Sequence, residues 1–308
     1  MCQKPFTKFR SFVAVRCLIV GCLSLASNWC ASANAQDRSV EALGKLLSFH
    51  ASFDHGPDAD FARGDRSIWT ATSMNKRAEA TKGLPSGGEV KLDANSGRFG
   101  SALRFGKSAG PIVFFKAENN LTLPNPGWSG TVSFWLNTDP ANELKEGFCD
   151  PIQITSKQWD DAAMFVEFEK RAAGIPFRLG VYADKSVWNP TNRNFADIPA
   201  AERPLATVNN PPFAAGKWTH VAVVFEKFNT GKNDGLATLY LDGKKVGEIS
   251  ARQQTFTWDQ KQADLMLGLS YIGMMDDLSV FDGALTQKEI GLVFGLKNGV
   301  AELHAKTK

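Results

Sequence analysis

The stretch Gly130-Thr-Val-Ser-Phe-Trp-Leu136 sets Val132, Phe134 and Leu136 against Thr131, Ser133, Trp135 and Asn137. Side chains of a strand alternate between its two faces, so this spacing predicts a strand with one face turned to a core. The same period of two continues outward in both directions. Leu47, Phe49, Ala51 and Phe53 alternate with Ser48, His50, Ser52 and Asp54, and Met164, Val166 and Phe168 with Phe165, Glu167 and Glu169. Phe177, Leu179, Val181 and Ala183 alternate with Arg178, Gly180, Tyr182 and Asp184. Val221, Val223 and Phe225 oppose His220, Ala222, Val224 and Glu226.

Turn residues punctuate these runs at Asn95-Ser-Gly97, Pro124-Asn-Pro-Gly127, Asn210-Pro-Pro212 and Gly231-Lys-Asn-Asp-Gly235. Between Leu239-Tyr-Leu241 and Lys244-Lys-Val246, Asp242-Gly243 has the chemistry of a type I′ hairpin turn, which needs two positive φ angles. Many short strands with almost no helix predict an all-β sandwich or barrel. Thr286-Gln-Lys-Glu289 is a capping box, and Ile290, Val293, Phe294 and Leu296 form a stripe, so one short helix is expected near the end. Residues 55–96 and 185–212 read as long polar or Pro/Asn/Ala-rich loops, a feature of functional or mobile segments.

The first 35 residues read as a leader. Lys4, Lys8, Arg10 and Arg16 precede an apolar run from Cys17 to Ala26, and Ala33-Asn34-Ala35 is a small-residue cleavage site before Gln36. The apolar run falls well short of the roughly 20 residues a membrane span needs. Ile19-Val-Gly-Cys22 offers an alternative, a lipoprotein box that would lipidate Cys22. Export therefore predicts a secreted, periplasmic or cell-surface protein. Removing the leader's four cations takes the formal charge from +3 to −1, so the pI of about 8.5 belongs largely to the leader. A nearly neutral mature chain lacks the basic footprint of a nucleic-acid binder. Four of the five cysteines, Cys2, Cys17, Cys22 and Cys30, also lie in the leader. The remaining Cys149 rules out an intrachain disulfide, and a buried or interchain role is expected of it rather than catalysis. The remainder, residues 36–308, reads as a single domain with a core over about 46–296.

Six segments in order resemble the concanavalin A-like superfamily, in particular its bacterial laminin-G-like jelly-roll branch. They are Phe53-Asp54, Gly97-Arg-Phe-Gly-Ser-Ala-Leu-Arg-Phe105, Gly130 to Leu136, Gly216-Lys-Trp-Thr-His-Val-Ala222, Leu239-Tyr-Leu-Asp-Gly-Lys244 and Met275-Asp-Asp-Leu-Ser-Val-Phe-Asp-Gly-Ala-Leu-Thr286. The resemblance implies two antiparallel sheets stacked face to face, one of them concave. It leaves function open, because the fold serves sugar-binding modules, adhesive domains, hydrolases and lyases alike.

The resemblance further implies a structural calcium held by Asp54 and Asp276 with backbone carbonyls, Asp58 and Asp60 being spare candidates. The alternation with Leu278 and Val280 predicts an inward-pointing Asp276, a costly placement unless its carboxylate is paired or bound to a metal. Without an ion, Asp276 is expected to cap buried amides. The glycosidase motif of this fold, Glu-x-Asp-x-x-Glu, has only a partial counterpart in Glu167-Phe-Glu169, and the Gln-Ile-His of the lyase branch is replaced by Gln153-Ile-Thr155. His50, His55, His220 and His304 fall in no nucleophile or zinc motif, and His220 beside Trp218 reads as a packed strand residue. A non-enzyme is therefore expected.

If 163–169 and 177–184 pair as a hairpin, Glu167, Glu169, Arg178 and Tyr182 share an outward face that suits sugar hydroxyls and ring stacking, or a plain surface salt bridge. Trp128, Trp159, Trp188 and Trp258 are either stacking platforms or plugs for the sandwich ends. Arg63-Gly-Asp65 has the form of an integrin tripeptide and Asn120-Leu-Thr122 that of a glycosylation sequon. The leading expectation is an exported, non-catalytic module for extracellular or cell-surface glycans. The alternatives are a structural or adhesive domain with a protein partner and, third, a glycan-active hydrolase or lyase.

Overall fold

The computed structural model describes residues 40–107, 109–123 and 126–304. The expected leader, with its Ala33-Asn34-Ala35 site and the Cys22 alternative, lies outside them. Seventeen strands form two antiparallel sheets. The first sheet runs β15 (Lys244–Arg252), β14 (Gly235–Leu241), β13 (Trp218–Phe228), β8 (Trp128–Asn137), β17 (Gly273–Phe281), β1 (Leu47–Ala51) and β2 (Phe61–Ala62). Against β17 it also carries β6 (Ala102–Phe105), which pairs in turn with β5 (Val90–Asp93). The second sheet runs β12 (Leu205–Val208), β11 (Phe177–Tyr182), β10 (Ala163–Lys170), β9 (Gly147–Thr155), β16 (Asp264–Leu269), β7 (Ile112–Lys116), β3 (Trp69–Ala71) and β4 (Thr81–Lys82). Neighbours such as β8 with β17 and β9 with β16 are far apart in sequence, the crossover pattern of a jelly-roll sandwich.

The inner faces meet as the alternation predicts. Val132, Phe134, Leu136, Val221, Val223 and Phe225 pack in one cluster with Met164, Val166, Phe168, Leu179 and Val181. Trp128 and Trp258 plug one end of the sandwich, their rings 5.1 Å apart beside Phe225 and Phe256. The hairpin turn also holds: Asp242 and Gly243 take φ of 47° and 74°, and Leu241 pairs with Lys244. Cys149 is buried, and burial pushes its thiol up to about 11, which keeps it protonated and unreactive.

The outer face of the first sheet departs from a solvated surface. A helix over 40–46 (α1), the capped helix α3 (Gln287–Phe294) and α4 (Ala301–His304) lie across it. Leu43, Ile290, Val293 and Leu303 there cover Ala222, Val224, Tyr240 and Phe281. Polar groups trapped beneath must pair with one another. His220 Nε2 lies 2.8 Å from Ser133 Oγ, and His50 Nε2 lies 2.7 Å from Asp277 Oδ1. Burial lowers the His220 pKa to about 4, so the ring is neutral, and the Ser133–His220 contact is sealed from any substrate. The two segments expected to be irregular also carry structure. Residues 55–96 contain β2 to β5, and 185–212 contain α2 (Lys185–Trp188), two 3₁₀ turns and the edge strand β12.

Leu179 is wholly enclosed between the sheets. Leu179→Ala is expected to cost about 2–5 kcal/mol, through lost burial and a residual cavity. Urea titration should show a lower midpoint with an unchanged slope, and a loss below about 1 kcal/mol would place this face outside the core.

Candidate ligand site

The second sheet turns its outer face towards a cavity of about 430 Å³ over β9, β10 and β11. Glu167 pairs across the ladder with Arg178, Phe165 with both Gly180 and Gln153, and Ala163 with Tyr182. Regular alternation thus brings Gln153, Phe165, Glu167, Arg178 and Tyr182 to one face. The Phe165 ring lies across Gly180, where a Cβ would come within 2.2 Å of it, so only glycine fits below that ring. Phe165 then stacks on Tyr182 with centroids 5.6 Å apart.

Asp150 reaches the same cavity by a break in the alternation. Val166 pairs with Ile152 and Phe168 with Cys149, so Asp150 and Pro151 together oppose Glu167. This bulge keeps both Ile152 and Cys149 in the core while turning the acid between them to the cavity. Sequence reading by period two misses Asp150, although Pro151 inside a strand is the signal of a bulge.

Glu167, Glu169, Arg178 and Tyr182 do lie opposite the core residues, but the expectation of an open outward face is corrected. Glu167 and Arg178 are buried, Glu169 is half-buried at the rim and Tyr182 has no exposed surface. The segment 185–203 folds over this face. Trp188 from α2 meets the Tyr182 ring edge-on at 4.9 Å, and Trp159 and Phe195 complete an aromatic wall. Ion pairs Lys157–Asp184 (2.8 Å) and Lys185–Asp160 (2.9 Å) anchor that wall, with Trp188 Nε1 donating to Asp160 O.

Arg178 binds Glu167 through Nε and Nη2 and Glu169 through Nη1, and its guanidinium lies over the Phe148 ring. Burial pushes the Glu167 carboxyl up despite this cation. Burial, reinforced by the Glu167 charge, raises the Asp150 carboxyl well above the usual range. Two buried polar atoms of residues in the cavity walls find no partner, Gln153 Nε2 and the Tyr182 hydroxyl. Among the described residues lining the cavity, Phe148 and Trp159 are the exposed aromatics, at 49% and 44%.

At the other end of the sheet pair, Asp54 and Asp276 close on one loop. Asp54 Oδ1 accepts from Ser101 N at 2.7 Å and Asp276 Oδ2 from Phe99 N at 2.9 Å. The expected inward direction of Asp276 is corrected. Trp135 pairs with Asp276 but Ser133 with Ser279, so a bulge at Asp277 (φ 54°) and Leu278 turns Asp276 to the outer face. There the 97–101 loop buries it completely, burial pushes its carboxyl up to about 8, and its Oδ1 has no partner. An unpartnered buried carboxylate oxygen near a second acid fits a hard cation. Among the described residues no three His, Cys, Asp or Glu side chains converge on one point, so further ligands would be carbonyls or water. Asp58 and Asp60 are engaged with the backbone amides of Ile68 and Ser52.

Two surface motifs are committed to structure. Arg63 is paired with Asp282, and Asp65 accepts from Ser67 N and Trp69 Nε1, both at 2.9 Å. Asn120 is buried, its Nδ2 donating to Asp65 O and Lys116 O, which leaves no nitrogen free for a glycan.

Residues 115–291 match the laminin G family of the concanavalin A-like lectin/glucanases superfamily. The chain belongs to that superfamily. The binding domain of botulinum neurotoxin serotype C1 superposes with a TM-score of 0.52 at 12% identity, over 82% of this chain and 52% of that one. The serotype D/C binding domain gives 0.51 at 11%, over 82% and 52%. Domain 4 of a GH43 extracellular arabinanase from Geobacillus stearothermophilus, in complex with arabinotriose, gives 0.48 at 16%, over 80% and 96%. The chain spans about half the length of the toxin domains, and at these identities the likeness to them is one of fold. No curated protein sequence matches the chain. Among the described residues no helix is long and apolar enough to cross a membrane.

Tyr182 is enclosed by four aromatic rings, so its truncation removes core-like packing. Tyr182→Ala is expected to destabilise the fold by about 3–5 kcal/mol, as buried aromatic truncations do. Thermal and urea melting check this, and a change below about 1 kcal/mol would mean that segment 185–203 does not cover the ring in solution.

Proposed function

We propose that the protein is an exported, non-catalytic glycan-binding module whose ligand sits in the β9–β11 cavity. The observation that carries this reading is the pairing of exposed aromatic rings with unsatisfied polar atoms in one concave site. Phe148 and Trp159 offer flat apolar faces for a pyranose ring, and Gln153 Nε2 and the Tyr182 hydroxyl, buried in the walls behind them, have no partner. A buried donor without a partner is costly, and a sugar hydroxyl relieves that cost on binding.

The hydrolase reading is favoured by one feature, the Asp150–Glu167 carboxyl pair with both acids pushed up by burial. A retaining enzyme needs both of its acids available, one as nucleophile and one as proton donor to the leaving group. Here Arg178 clasps Glu167 with two donors, which favours a structural ion cluster.

A structural calcium belongs to the same proposal. Asp54 and Asp276 would hold it beside the 97–101 loop, and the ion would supply the positive charge that the buried Asp276 carboxylate lacks.

Trp159→Ala should weaken binding of whichever oligosaccharide the wild type selects on a glycan array by about tenfold, the equivalent of ~1.4 kcal/mol of lost stacking. Titration calorimetry measures it, and unchanged affinity would remove the cavity as the site. The wild-type protein should release no reducing ends from the bound oligosaccharide. Calcium at a hundredfold excess over its Kd should add about 2.7 kcal/mol of stability. Melting with chelator and with calcium, on wild type and Asp276→Asn, tests the metal. An unchanged melting temperature in the wild type would leave Asp276 as a cap for the Phe99 amide alone.

A further inference from the structure

The cavity over β9, β10 and β11 has a one-sided supply of charge. Arg178 is the one cation among the described residues lining it, and Nε, Nη1 and Nη2 are all engaged by Glu167 and Glu169. The arginines at the rim are also engaged. Arg171 Nε pairs with Glu169 Oε1 at 3.3 Å, and Arg203 donates to the carbonyls of Ile198 and Ala196. Asp150 faces the same space, and its carboxylate accepts no hydrogen bond from the described residues. What the walls offer a ligand is therefore one free carboxyl, with the unpartnered Gln153 Nε2 and Tyr182 hydroxyl buried behind the surface.

We propose that this cavity takes an uncharged or aminated sugar unit and rejects acidic glycans, whether uronate, sialate or sulfate. The proposal rests on the glycan-binding reading and adds a charge class to it. An acidic group entering here would meet Asp150 and Glu167, while the one cation among the described lining residues is already held by two glutamates. Like charges brought together at a desolvated contact cost several kcal/mol. A sugar hydroxyl meets the opposite situation, since it can donate to Asp150. An ammonium group pairs directly with the free carboxylate.

The test is a glycan array of neutral glucose, xylose and arabinose oligomers, aminated glucosamine oligomers, and galacturonate, glucuronate, sialylated and sulfated oligosaccharides. It is probed with the mature chain at low salt, and affinities for the bound set are then measured by calorimetry. Neutral or aminated oligomers are expected to bind, with acidic counterparts of the same length at least about tenfold weaker. Asp150→Asn, nearly isosteric, should narrow that gap by about tenfold while leaving the melting temperature largely unchanged. Acidic oligosaccharides binding as tightly as neutral ones, or a gap unmoved by Asp150→Asn, would overturn the charge selection and leave glycan binding intact. Binding to no glycan on the array would overturn the underlying reading instead.

Discussion

A strand has only two faces, and over much of this molecule both are covered. The inner faces share one apolar core, α1, α3 and α4 lie across the outer face of the first sheet, and segment 185–203 lies across part of the second. Polar side chains on the outer faces are thereby cut off from water and have to find partners inside the protein. Most do: Ser133 with His220, His50 with Asp277, Arg178 with two glutamates. Some do not, among them Gln153 Nε2 and the Tyr182 hydroxyl in one place and Asp276 Oδ1 in another.

Both positions are made by bulges. Each inserts one residue into an otherwise regular ladder and turns an acid away from the side its neighbours dictate. The bulge at Asp150–Pro151 delivers Asp150 to the cavity, and that at Asp277–Leu278 carries Asp276 beneath the 97–101 loop. In both cases the flanking apolar residues stay in the core, so an acid is turned outward without loss of packing. Asp277 tolerates the positive φ of its bulge as aspartate does more readily than branched residues.

Membership of the concanavalin A-like superfamily accounts for the sandwich and its crossover connections, and a fold of this kind serves many functions. What distinguishes this chain is local. An aromatic wall from 159, 188 and 195 is laid over an ion cluster of Glu167, Glu169 and Arg178. The buried arginine satisfies two acids at once, which is the condition under which such a cluster persists away from water.

Much of the fold was legible in the alternation itself. Which side chains of 131–137, 163–169, 177–183 and 221–225 share a face follows from a period of two, and the I′ turn at Asp242-Gly243 and the capped helix after Thr286 follow from local chemistry. Those features depend on neighbours in sequence, so sequence alone determined them. Whether a face is open or covered depends on what folds across it from elsewhere. Glu167, Arg178 and Tyr182 were thus placed on the right side of the strand and on the wrong side of the solvent boundary. Trp188 and Phe195 belong to a segment whose composition reads as loop, and only the tertiary structure decided that it caps Tyr182. The bulges are the other such decision, because one inserted residue reverses every later side of a strand, and register is chosen by the partner strand rather than by the strand itself.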